Sequence, residues 1–93
     1  MRITFDPVKN ARNIAERSLP FERVAETAVA VEDDRRDYGE RRLRVMALLG
    51  QRLHVTVVTF RDDAMRVISF RRANSREIKL YADEKKRRIP EAR

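Results

Sequence analysis

The sequence predicts an α+β domain, a small antiparallel sheet with helices packed mainly on one face, in the order β-α-α-β-β-β-β-α. Three observations lead there. Apolar residues recur at helical spacing near both ends, they alternate with polar ones between about residues 29 and 70, and turn-forming pairs separate the alternating runs. A chain of 93 residues is short enough to expect one domain over 1–93. Such a domain buries roughly 60–68% of its unfolded surface, enough for one modest core.

Arg2 to Phe5 alternates polar and apolar and predicts a short strand. Asp6 then suits a helix N-cap and Pro7 the first helical position, where a missing N–H costs nothing. Val8, Ala11, Ile14 and Ala15 share a helical face, so a helix from Pro7 to about Arg17 is expected, broken at Ser18. Pro20 can start a second helix with Phe21, Val24, Ala25 and Ala28 on its buried side. From Val29 the period changes to two. Val29 and Val31 open a strand that runs into the polar stretch from Glu32 to Asp37, and Tyr38-Gly39 can turn the chain.

Leu43, Val45, Ala47 and Leu49 mark one face of the next strand, and Gly50-Gln51 fits a tight hairpin. Leu53, Val55 and Val57 continue as a β-branched strand, and Asp62-Asp63 supplies another turn. In the last strand Met65, Val67 and Ser69 alternate with Arg66, Ile68 and Phe70. Asn74 followed by Glu77 imitates a capping box. It predicts a helix from Ser75 to about Arg88, ended by Pro90.

Composition narrows the function. Charged residues make up 40% of the chain, against ~25% in ordinary soluble domains. Residues 1–40 hold 7 basic and 9 acidic side chains, net −2, whereas 41–93 hold 15 basic and 6 acidic, net +9. Of the 22 basic residues 18 are arginine, whose planar fork matches phosphate or carboxylate. A basic C-terminal half favours a polyanion, nucleic acid before lipid, and solvated charged faces are the plain alternative. No apolar run is long enough for a membrane span, and the first twenty residues do not read as a signal peptide. The absence of cysteine excludes a disulfide scaffold and a thiolate metal site, and fits a reducing cytoplasm.

No familiar metal or nucleophile motif is present, so no metal site and no cofactor are expected. His54, the single histidine, lies on the strand face shared with Thr56 and Val58 and lacks a partner at a ligand spacing. Two glycines cannot build a phosphate-cradling loop. What remains is arginine on strand ends and turns. Arg66 and Arg72 share a parity and should point to one side of the sheet, with Ser69 and Arg71 on the other. Pairing that brings Arg61 near Arg66 would let three guanidinium groups gather around one phosphate; otherwise these are edge charges that keep hairpins soluble. A convergent cluster suits metal-free RNA cleavage, in which the 2′-hydroxyl attacks phosphorus and the transition state carries extra negative charge. His54, Glu77, Tyr81 and Lys9 are the possible proton handlers.

Three segments resemble one family. Asp6-Pro7-Val8-Lys9 with Asn13 and Phe21-Glu22 is similar to the opening of the BrnT family of type II toxins. Asp33 or Asp34, Arg35, Tyr38-Gly39-Glu40 and Arg42 resemble its middle. The most specific piece runs from Thr59-Phe60-Arg61 to Arg66-Val67-Ile68-Ser69-Phe70-Arg71-Arg72-Ala73, then Glu77 and Tyr81. The resemblance implies a cytoplasmic, RelE-like ribonuclease toxin. Its implied partner is a BrnA-type antitoxin with a ribbon-helix-helix DNA-binding domain, through which alone it would reach operator DNA. The residues it implies for catalysis are Lys9, Arg61, Arg72 and Glu77, with RNA contacts at Arg66, Arg71, Tyr81 and Arg17. Glu77 equally suits a purely capping role. Many members have Lys-His-Gly where this chain has Glu16-Arg17-Ser18. If that histidine serves catalysis in the family, the resemblance implies that this chain is impaired or uses Arg17 as a phosphate contact instead. If the glycine is only a C-cap, its loss would cost roughly 1 kcal/mol and no chemistry. The rival to an enzyme is a non-catalytic basic module that grips RNA or DNA, or docks an acidic antitoxin.

Overall fold

A computed structural model describes residues 2–37 and 40–88 of the chain. Strand β1 (Arg2–Phe5) leads into helix α1 (Pro7–Arg17), a 3-10 helix (Phe21–Glu26), strands β2 (Ala28–Asp37), β3 (Glu40–Leu49), β4 (Arg52–Arg61) and β5 (Ala64–Arg72), and helix α2 (Ser75–Arg88). The strands form one sheet in the order β1-β5-β4-β3-β2. Three neighbouring pairs are antiparallel, but β1 runs parallel to β5, so the sheet is mixed rather than purely antiparallel. The Tyr38-Gly39 turn lies outside the described residues.

Local signals are realised where the chemistry is local. Asp6 Oδ1 accepts the Val8 N–H at 2.9 Å, with Pro7 following as the first helical residue. Gly50 holds φ +62° between β3 and β4. Asp62 and Asp63 hold φ 49° and 63°, the two left-handed positions of a tight hairpin turn. Asn74 and Glu77 exchange backbone-to-side-chain hydrogen bonds of 2.9 Å each, a complete capping box.

Two core groups lie on opposite faces of the sheet. On the first face Leu19, Phe21 and Val24 pack against Val58, Val67 and Phe70, with Phe5 meeting Phe21 edge-on at 5.8 Å. On the second, Met46, Leu53 and Val55 pack with Tyr81 of α2 and with Ala73. Leu19, just after α1, and the 3-10 helix therefore cover the first face and α2 the second, so the helical segments lie on both faces rather than mainly on one. The segment after Pro20 is 3-10 rather than α. Phe21 and Val24, three residues apart, are its buried pair, and Ala28 already belongs to β2.

Two features escape the periodicity. The apolar residues of α1 do not face the core: Val8 is 69% and Ile14 42% exposed, whereas Asn13 is buried. The helix lies along the β5 edge left open beyond β1, and a polar residue is what can satisfy the carbonyls of that edge. In β5, Val67 pairs with Val58 and Ser69 with Val57, leaving Ile68 as an extra, bulged residue. The bulge reverses the side-chain alternation. Val67 and Phe70 are consequently buried in the same core group, and Arg72 follows Phe70 onto the first face.

Candidate active site

Helix α1 ends at Ser18, whose left-handed φ of 54° bends the chain back while its N–H donates to Ile14 O at 2.8 Å. Asn13 fixes that bend. Its Nδ2 donates to Leu19 O at 2.8 Å and to Phe70 O on β5 at 2.9 Å, and its Oδ1 accepts from the Arg17 guanidinium at 2.9 Å. Asn10 Oδ1 accepts the Phe21 N–H at 2.9 Å, so the start of the 3-10 helix is held to α1 as well.

Across from this bend, β4 begins at Arg52 directly after the hairpin turn, and His54 pairs with Arg72 of β5. His54 is only 3% exposed and its ring lies 5.4 Å from that of Phe70. Its Nδ1 stands 3.0 Å from Arg52 O. A carbonyl can only accept, so Nδ1 carries the proton in that bond and Nε2 remains for other work. The space enclosed is a cleft of about 590 Å³ lined by Glu16, Arg17, Ser18, Arg23, Arg52, His54 and Arg72, with Leu19 and Leu49. Arg23 already pairs with Glu26 at 3.3 Å. Among the described residues neither Arg52 nor Arg72 pairs with a carboxylate. Exposed, unpaired guanidinium groups beside an imidazole nitrogen can hold a phosphate and move a proton next to it.

The residues singled out from sequence divide between this cleft and other places. Arg72 and Arg17 line it. Lys9 lies one step away, in a smaller hollow of about 150 Å³ over the β5 bulge that it shares with Arg12 and Arg17. Arg61 and Arg66 do not join them. Arg61 pairs across from Ala64 and Arg66 from Thr59, which puts both on the second face at the far end of the hairpin. Eight positions separate Ala64 from Arg72 along β5, roughly 25 Å. The expectation that Arg61, Arg66 and Arg72 share one phosphate fails for two reasons. Arg72 lies at the opposite end of the strand, and the Ile68 bulge turns it to the other face. Arg61 is instead engaged by Glu40, with Nε at 3.2 Å from Oε1. The hydrogen bond from Arg61 holds the Glu40 carboxyl below its usual range, with Arg42 adding to the effect.

Glu77 and Arg71 belong to the second face. The Glu77 carboxylate receives two hydrogen bonds of 2.8 Å from Arg71, one of 2.7 Å from Arg44 and the Asn74 N–H. These occupy the roughly four acceptor positions of a carboxylate. Hydrogen bonding from Arg71, chiefly, lowers its pKa to about 2 against the opposing effect of burial. The group therefore stays ionised near neutrality and clamps the start of α2 onto β3 and β5. Tyr81, one turn later, packs on the second core group and lines a second cleft that also touches Arg52 and Arg72.

Sequence reasoning passed over Arg52 and named His54 only as one of four possible proton handlers, with no link to Arg72. Only the strand pairing, which joins His54 to Arg72, shows that they belong to one site. The position of Arg52 just after Gly50-Gln51 was the available signal. Among the described residues no three His, Asp or Glu side chains gather where they could hold a metal ion. No helix among them is long and apolar enough to cross a membrane.

A family model described as the ribonuclease toxin BrnT of type II toxin–antitoxin systems matches residues 5–77. The chain belongs to the BrnT family. Among solved structures, the crystal structure of the Brucella abortus ribonuclease toxin BrnT is similar, with a TM-score of 0.61 and 23% identity. The match covers 81% of this chain and 99% of that one, and at this identity it is a likeness of fold. No curated protein matches the chain. The matched span 5–77 contains every residue that lines the arginine-lined cleft.

Proposed function

We propose that the chain is a toxin that cleaves RNA without a metal ion, in the cleft formed by Arg17, Arg52, His54 and Arg72. The observation that carries this reading is His54, with Nδ1 held at 3.0 Å by Arg52 O, in a cleft where Arg52 and Arg72 have no carboxylate partner among the described residues. A phosphodiester seated between the guanidinium groups would present its 2′-hydroxyl to His54 Nε2. The imidazole takes the hydroxyl proton as the 2′ oxygen bonds to phosphorus, then returns it to the departing 5′ oxygen. The products are a 2′,3′-cyclic phosphate and a 5′-hydroxyl end. Arg52, Arg72 and Arg17 meet the charge that grows on the phosphorane, and donors aimed at that charge stabilise it more than the ground state. Lys9 and Arg12, beside Arg17, extend the basic track along which the strand would lie.

The neutralising partner in this reading is an acidic BrnA-type antitoxin with a ribbon-helix-helix domain, which covers the cleft and carries the complex to operator DNA. Charge supports it: the chain carries +7, concentrated in residues 41–93.

The test is cleavage of RNA by the purified protein in EDTA, with growth arrest on expression as the cellular counterpart. Arg72→Ala and Arg52→Ala should each lower cleavage by about 100-fold, the scale of one lost transition-state donor. His54→Gln should abolish it while far-UV circular dichroism remains native. Arg61→Ala should cleave as the parent does. Full activity of Arg72→Ala would overturn the placement of the site, and RNA that is bound but never cut would mark the non-catalytic binding module instead.

A further inference from the structure

Arg52 and Arg72 line two clefts, not one. On the far side of them from His54 lies a second cleft of about 700 Å³, lined by Leu48, Leu53, Ala73, Ile78 and Tyr81. Its character is different. Tyr81 is half-buried on the Met46, Leu53 and Val55 group, so its ring is fixed, and Ile78 on the preceding turn is 51% exposed at the rim. Among the described residues the Tyr81 hydroxyl takes part in no hydrogen bond. A fixed aromatic ring in an apolar hollow, walled on one side by two guanidinium groups with no carboxylate partner among the described residues, matches a nucleotide with its base in one compartment and its phosphate in the other.

We propose that this second cleft is a nucleobase subsite, in which the base flanking the scissile phosphate is held against Tyr81 and Ile78 while its phosphate is held by Arg52 and Arg72. The inference rests on the reading of the arginine cleft as the phosphate site. Continuity through the shared arginines, Arg52 and Arg72, selects the occupant, because a phosphate and its own base are separated by only one sugar. Stacking needs no particular base, since every base offers a flat face, so the subsite supplies affinity and register more than sequence preference.

The experiment uses the full chain and dinucleotides with a 2′-O-methyl group at the cleavage position, which bind and are not cut. Replacing the flanking base by an abasic sugar should weaken binding about 5- to 150-fold, the range measured for one base–aromatic stack. Tyr81→Ala should weaken binding of the intact dinucleotide by a similar factor and leave the abasic one unaffected, so that the two losses do not add. Tyr81→Phe should bind as the parent does. Ile78→Ser, an exposed and uncharged change that leaves the core untouched, should weaken only the intact dinucleotide. The abasic comparison needs no protein variant, so it decides the matter even if Tyr81→Ala is poorly folded. Equal affinity for intact and abasic dinucleotides, with both lost in Arg72→Ala, would overturn the subsite and leave the phosphate site standing. Binding of both that is indifferent to Arg72→Ala would overturn the phosphate site and, with it, this inference.

Discussion

Glu77 gathers two guanidinium groups and a backbone N–H on one carboxylate, and its titration is open to measurement. Its carboxyl is held at about 2 in the folded chain, against an ordinary 4.5. A carboxyl lowered by folding contributes its stability fully above the unfolded value and loses it as pH falls through the folded one. Stability should therefore be lost between about pH 4.5 and pH 2, by about 3 kcal/mol from this group alone. Glu77→Gln resembles the protonated group and leaves Arg71 and Arg44 facing an uncharged amide. It should cost about 3 kcal/mol near pH 7 and nothing further in acid. Denaturant unfolding of the two proteins between pH 2.5 and 7 should converge toward the acid end, and parallel curves would show that the clamp does not govern acid stability. RNA cleavage near neutrality should survive Glu77→Gln wherever the fold does, since the carboxylate lies on the face opposite His54.

At the scale of elements, the bend after α1 shows what each kind of signal can carry. Ser18 sits at φ 54°, where a side chain is unfavourable and glycine is not. Ser18→Gly should stabilise the chain by up to about 1 kcal/mol, read as a rise in the thermal midpoint, and a fall would mean that the Ser18 side chain has a compensating role. Asn13→Ala should act in the opposite direction. It strips the Asn13 bonds from two carbonyls and from Arg17, at a cost of about 2–4 kcal/mol by denaturant unfolding. Capping at Asp6, the turns at Gly50-Gln51 and Asp62-Asp63 and the Asn74–Glu77 box were legible because each depends on residues within three positions of one another. The burial of Asn13 in place of Val8 and Ile14 was not legible, because it is set by an edge of β5 fifty-seven residues away. Nor was the side reached by Arg72. A strand read by parity alone places it with Arg66, and only the pairing of Val67 and Ser69 with consecutive residues of β4 reveals the extra Ile68 between them.

Taken over the whole molecule, the net charge of +7 overstates what a polyanion can use at any one place. Arg44 and Arg71 are committed to Glu77, Arg61 to Glu40 and Arg23 to Glu26. Among the described residues Arg52 and Arg72 converge without carboxylate partners, joined by Arg17 on its neutral asparagine. That division makes the salt dependence of RNA binding a measure of site geometry. For a single strand the logarithm of affinity falls with the logarithm of salt at a slope of about −0.7 per phosphate neutralised. Three or four contacts in the cleft then predict a loss of about 20- to 50-fold between 50 and 200 mM salt. A basic surface used indiscriminately, with many more contacts, would lose a thousandfold or more over the same range. Affinity of a 2′-O-methyl oligonucleotide, measured across that range, distinguishes the two. Arg72→Ala should flatten the slope by about 0.7 and Arg61→Ala should leave it unchanged, because the first removes a phosphate contact and the second a partner of Glu40. A steep slope with equal sensitivity to both substitutions would return the arginines to a diffuse, solvated role and take the cleft out of the account.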